Sequence, residues 1–208
     1  MDAITEKEII KYNIISSVDT VVSEGTKKRI REEIARRGLI RRQWDSILGT
    51  PLTFESKRFF VYLASVLKEH VAQRLADLYR KENLSCFVLL PYPREKRSKH
   101  TEGFEQYLED CLGSREISIE FLTPAIIDRK MSANWLTQVK EGEKLLILQP
   151  MAMNDDYLNK AIAYVRECSL SSIVEVLTIV DASGRPADKR SKDPPERVLI
   201  ELNLRAII

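Results

Sequence analysis

The chain has 208 residues, 44% of them apolar, which is enough for one sizeable core, and its 33 Lys and Arg nearly cancel its 31 Asp and Glu. A net charge of +2 excludes a partner chosen by overall charge, so any electrostatic preference has to be local. Three cysteines, Cys86, Cys111 and Cys168, show neither CxxC nor Cys/His spacing. That argues against a zinc site or a disulfide framework and for reduced, mostly buried thiols.

The first residues, MDAITEKEIIKYNII, are acidic where a signal peptide would be basic, and no apolar run reaches the ~18 residues of a membrane span. A soluble, cytoplasmic protein is the expectation. Residues 4–24 mix helical and strand-like spacing, and a short helix is expected there. From Thr26, Ile30, Ile34, Leu39, Ile40 and Trp44 recur at roughly helical intervals, predicting two short helices with Gly38 as the C-cap between them. LGTPLTFESKRFF predicts a short strand or hairpin after a Gly-Thr-Pro breaker. Phe60, Leu63, Val66, Leu67, Val71, Leu75, Leu78 and Tyr79 then define the clearest helix in the chain, with His70 on its exposed or half-exposed side.

Beyond this helix, strands and helices alternate. CFVLLPYP is an apolar strand, GFEQYLEDCL a helix, EISIEFLTP a strand, and IDRKMSANWLTQVKEGE loop and helix. LLIL, the helix NDDYLNKAIAYVRE, the strand IVEVLTIVD and the strand RVLIELNL follow, the last two separated by a polar stretch at 182–196 that is short enough for a hairpin excursion. Apolar strands separated by amphipathic helices predict an α/β fold with a mainly parallel central sheet flanked by helices. The expected organisation is an N-terminal helical arm at 1–49 and an α/β domain at 50–208.

The order of these elements resembles the type I phosphoribosyltransferases, and within them the orotate phosphoribosyltransferase branch. PLTFESKRFFVYLASVLKEHVAQRLADLY is similar to that branch's opening strand and long helix. CFVLLPYPRE is similar to its first core strand and pyrophosphate loop, KLLILQPMAMNDDYLNKAIAYVRE to its signature strand, phosphate loop and helix, and LTIVDASGRPADKRSKDPPERVLIELNL to its closing strands. The resemblance spans about residues 50–205 and implies the phosphoribosyltransferase fold, a homodimer, and a place in nucleotide metabolism.

The family signature is four apolar residues, two acids that hold ribose hydroxyls, two apolar residues, then Thr, Ser and Gly around the 5′-phosphate at a helix N-terminus. Here Leu145–Leu148 keep the strand, but Gln149 and Pro150 stand at the acids' positions, and Met153, Asn154, Asp155, Asp156 and Tyr157 replace the small residues. Without glycine the backbone cannot come close to an anion. One pair of like charges 5 Å apart costs about 3 kcal/mol at an effective dielectric of 20, which outweighs a helix-terminus attraction of about 1 kcal/mol. Asn154 or Asp155 serves equally as a helix cap, with Asp156 as a first-turn charge, and a magnesium site on Asp155 and Asp156 is the rival reading.

At the pyrophosphate-loop equivalent, Pro93, Arg94 and Arg97 are the candidates, with Lys96, Lys99 and His100 alongside, in a loop lacking glycine. Asp128, Arg129 and Lys130 lie where the family's mobile loop departs, and Arg129 and Lys130 are its candidates. A solvated charged loop explains the same residues. The resemblance thus implies a pseudoenzyme that has lost phosphoribosyl transfer. It would act as a dimeric scaffold, a regulator with a protein partner, or a binder of a nucleotide-like ligand, with no catalytic residue, resident metal or cofactor assigned.

An alternative is an active enzyme using magnesium and phosphoribosyl pyrophosphate, with Arg94, Arg97 and Lys130 on the pyrophosphate and Asn154 on the 5′-phosphate. A third reading is a nucleic-acid module. Lys27, Lys28, Arg29, Arg31, Arg36, Arg37, Arg41 and Arg42 face only Glu32 and Glu33 within 27–42, although i, i+4 pairing of Glu32 with Arg36 and Glu33 with Arg37 would neutralise part of that charge.

Overall fold

The computed structural model describes residues 3–11, 15–16, 22–45, 50–54, 56–90, 106, 108–110, 112–114, 117, 120–122, 124, 126–127, 130–152, 156–168, 172–181, 183, 185, 187–190 and 192–202. Helix α1 (Glu6–Lys11) opens with a capping box: the Thr5 N–H donates to Glu8 Oε2 at 3.0 Å and the Glu8 N–H to Thr5 Oγ1 at 3.4 Å. Ile4 and Ile9, at the spacing of a hydrophobic staple around it, are buried in one cluster. The two-residue strand β1 (Ile15–Ser16) follows. Helix α2 (Glu24–Arg37) starts at Ser23, whose side chain accepts from the Thr26 N–H, and stops at Gly38. There φ is +57°, and a Cβ would stand 3.2 Å from that of Ala3. Glycine adopts this left-handed turn without steric cost, as the C-cap expectation requires.

The helix expected after Gly38 is instead strand β2 (Ile40–Asp45), paired antiparallel with β3 (Thr50–Phe54). Ile40 and Trp44 are four residues apart, a spacing that fits a strand's period of two as well as a helix turn. The paired strand supplies backbone partners, and that decides between them. Helix α3 (Ser56–Glu82) is the long helix anticipated, with Leu67, Val71, Leu75 and Leu78 buried and His70 half-buried.

Strands β4 (Cys86–Leu89) and β5 (Glu120–Leu122) follow, with helical residues at 106, 108–110 and 112–113 between them. A small ladder joins β6 (Ile126–Ile127) to β7 (Lys130–Met131), and a 3-10 turn spans Asn134–Gln138. The chain is completed by β8 (Lys144–Ala152), α4 (Asp156–Cys168), β9 (Ser172–Asp181) and β10 (Glu196–Leu202).

The main sheet has the order β1-β10-β9-β8-β4-β5. All its neighbours are parallel except β1, which runs antiparallel to β10 at one edge. This is the α/β class, mainly parallel and helix-flanked, that the alternation predicted. The 182–196 stretch is not a hairpin: β9 and β10 are parallel, so it must carry the chain back along the whole sheet, which it does through a 3-10 turn at Ala187–Lys189.

Alternating strand residues divide the interior in two. Leu146, Leu148, Leu177 and Leu199 pack with Ile9, Ile34, Leu67 and Leu75 from α1, α2 and α3, so residues from the 1–49 segment share a core with the sheet. Leu145, Ile147, Val176 and the buried Cys86 pack with Leu158, Ala161 and Val165 of α4 and with Trp135. Each such aliphatic side chain contributes about 1.5–3 kcal/mol on burial. A charged tie joins the first layer to the sheet: Arg74 of α3 makes a bidentate pair with buried Glu175, Nε at 3.0 Å, and Arg197 lies 3.7 Å from the same carboxylate. Among the described residues no helix is long and apolar enough to cross a membrane.

Candidate functional site

Parallel strands ending together create the crevice where open α/β sheets hold ligands. Here β8, β9 and β10 end side by side, with Ala152 opposite Asp181 and Asp181 opposite Glu201. Gln149 and Pro150 lie inside β8, in a ladder with β9 that continues to Ala152, and both are buried. A proline fits there because the described ladder between β8 and β4 ends at Leu148, two residues before it, so its missing N–H is not required on that side. Gln149 has the parity of Leu145 and Ile147 and so belongs to the α4 face, where the Thr178 hydroxyl donates to its Oε1 at 3.0 Å. At this position a neutral amide is already engaged by the neighbouring strand.

The remaining candidates distribute as follows. Met153, Asn154 and Asp155 lie outside the described residues, as do Pro93, Arg94, Arg97 and Arg129. Asp156 is the first residue of α4, a first-turn position where an acid suits the helix dipole. Tyr157 is half-buried and packs against the apolar cluster under α4. Lys130 is the first residue of β7, paired with Ile127. Among the described residues no group of three His, Cys, Asp or Glu converges as a metal site would.

Two buried polar clusters went unnoticed in the sequence. In the first, Arg190 reaches across the strand ends, 3.4 Å from Asp181 and 3.2 Å from Glu201, with the Arg190 and Asp181 side chains 6% and 1% exposed. Asp181 also accepts from the Ser183 N–H at 2.9 Å and from its hydroxyl at 2.6 Å. In the second, Arg185 donates to Glu196 at 2.6 Å, and the Thr178 hydroxyl lies 3.3 Å from the same oxygen. The chain Gln149, Thr178, Glu196, Arg185 therefore runs through the α4 face from β8 to the 182–195 connection. Both clusters tie that connection to the sheet, and their acids meet arginines before any ligand arrives. The sequence signal was an acid at the carboxyl end of each of two strands with arginines between them. It was legible only to a reader who knew those strands to be parallel.

On α2 four of the six cations are in ion pairs with the helix's three acids. Lys27 pairs with Glu24, Lys28 with Glu32 at 3.7 Å, and Glu33 takes both Arg36 at 2.7 Å and Arg37 at 2.5 Å. Glu33 thus finds its i, i+4 partner Arg37 as expected, while Glu32 turns to Lys28 rather than Arg36. Hydrogen bonds from Arg36 and then Arg37 lower the Glu33 carboxyl to about 2. Arg37 also stacks over Tyr62 of α3, 5.1 Å from the ring centre, and burial with the Glu33 charge raises the Tyr62 phenol.

No family model matches the chain, and no curated protein does. The solved structures it resembles include type I phosphoribosyltransferases. Orotate phosphoribosyltransferase of Mycobacterium tuberculosis H37Rv aligns at a TM-score of 0.49 with 12% identity, over 84% of this chain and 87% of that one. Hypoxanthine phosphoribosyltransferase of Trypanosoma cruzi gives 0.46 with 14% identity over 68% and 78%. Adenine phosphoribosyltransferase of Saccharomyces cerevisiae gives 0.44 with 10% identity over 68% and 78%. At these identities the site has to be read from its own residues.

Proposed function

We propose that this chain is a cytoplasmic, phosphoribosyltransferase-like protein that no longer transfers phosphoribose. It serves as a homodimeric scaffold, a regulator of a protein partner, or a binder of a nucleotide-like ligand. The observation that carries the reading is Gln149: at the position of a ribose-holding acid stands a buried amide hydrogen-bonded to Thr178. Pro150 beside it has no carboxylate to offer, and the acids at the neighbouring strand ends, Asp181 and Glu201, are engaged by Arg190. In this reading residues 1–49 form the arm that completes the dimer and 50–208 the α/β domain. The ion pairs along α2 weigh against nucleic acid as the partner.

Calorimetric titration with phosphoribosyl pyrophosphate and magnesium at moderate salt tests it. The expected result is neither micromolar binding nor release of pyrophosphate on adding a nucleobase, with sedimentation giving a dimer. Micromolar binding with release of pyrophosphate on adding a nucleobase would return the chain to the active transferases, with magnesium as its cofactor.

A further inference from the structure

The 182–195 connection and the outer side of α4 enclose a groove of about 390 Å³, within the size range of small-ligand pockets. Its apolar side is given by Ile162 and the exposed Ala163, with Leu158 buried beneath them. Facing them are three cations, Arg166, Arg185 and Lys189, and one acid, Asp193. They differ in how they are held. Arg185 is 15% exposed and is fixed by Glu196, whose side chain is fully buried and also faces Thr178. A buried ion pair of this kind adds little net stability, but it does set a guanidinium in one place. Arg166 donates to the Asp193 carbonyl at 2.8 Å and lies 3.5 Å from a carboxylate that is 97% exposed, a rim contact open to exchange. Lys189 is exposed and has no ion-pair partner among the described residues.

We propose that this groove binds a small organic phosphate, its phosphate held by Arg185, Arg166 and Lys189 and its planar or apolar portion lying on Ile162 and Ala163. Guanidinium forks match phosphate oxygens in pairs, while the exposed lysine adds a point charge. The groove is lined by neither Gln149 nor Pro150, and it is linked to Gln149 only through Thr178, Glu196 and Arg185.

Calorimetry with adenosine 5′-monophosphate, inorganic phosphate and adenosine, on the full chain and its Arg166→Glu and Lys189→Glu variants, decides it. Both replaced side chains are exposed, and melting curves check that the variants fold. The expected result is that the monophosphate binds at least about tenfold more tightly than adenosine or phosphate alone, and that each charge reversal weakens it by at least about tenfold, the size of one charge-assisted hydrogen bond. Adenosine binding as tightly as the monophosphate, unchanged affinity in folded variants, or no binding of the monophosphate at millimolar concentration would each overturn the proposal.

Discussion

On α2, one carboxylate stands between two arginines at the water boundary; at the ends of β9 and β10, one buried arginine stands between two carboxylates, one buried and one reaching water. Glu33 meets Arg36 and Arg37, which are 67% and 49% exposed, whereas Arg190 meets Asp181 and Glu201 with its own side chain 6% exposed. The bonding chemistry is the same, and the difference lies in the alternative available when a partner is lost. On α2 the survivor turns to solvent and salt. At the strand ends it is left charged in a place that cannot hydrate it, so the arrangement is specified more tightly than it is stabilised.

The largest effect should come from Arg190→Met, which leaves Asp181 and Glu201 facing each other across adjacent strands. Urea unfolding should show a loss of about 3–5 kcal/mol. A loss under about 1 kcal/mol would mean that the strand ends are wetter than their burial indicates, and the contrast with α2 would fail.

Next, Thr178→Val removes the hydroxyl shared by Gln149 and Glu196 while conserving shape, at an expected loss of about 1–3 kcal/mol. Adding Gln149→Leu should recover part of it, because the amide oxygen left without its donor is then gone. No recovery would place the importance of Thr178 with Glu196 alone.

The smallest effect is expected for Glu33→Gln, and it sharpens the comparison through pH. The Glu33 carboxyl is lowered from 4.5 to about 2 in the folded chain, so its contribution is fully present above 4.5 and is lost as pH falls toward about 2. The difference in melting temperature between wild type and variant should therefore shrink across that interval and also on adding salt. A difference that grows as the pH falls through it would reverse the assigned sign.

Much of the fold was legible because it is written in local periods. Leu67, Val71, Leu75 and Leu78 mark α3, Leu145–Leu148 mark β8, and Gly38 marks the end of α2. The segment from Ile40 to Asp45 was misread because its apolar spacing satisfies two periods at once and only the partner strand decides. The 182–195 connection was misread because strand direction is settled by which edge of the sheet is available, something no local pattern encodes. The candidate site was legible as far as the strand that leads into it, Leu145–Leu148. It was not legible in what holds the strand ends together, since Asp181, Arg190 and Glu201 become neighbours only through the parallel register of β9 and β10.

The edge strand β1 carries a consequence for how the protein is made. Ile15 pairs with Leu202, so the earliest of the described strands finds its place only beside the latest. Until β10 is complete, the 1–49 segment can fold onto α3 through Ile30 and Ile34 but cannot be stitched to the sheet. A pairing of such long sequence separation forms late and slowly, and an incomplete chain presents an unfinished sheet edge in the meantime. Shortened chains that stop before Glu196 should for that reason be the ones a cell's chaperones hold longest.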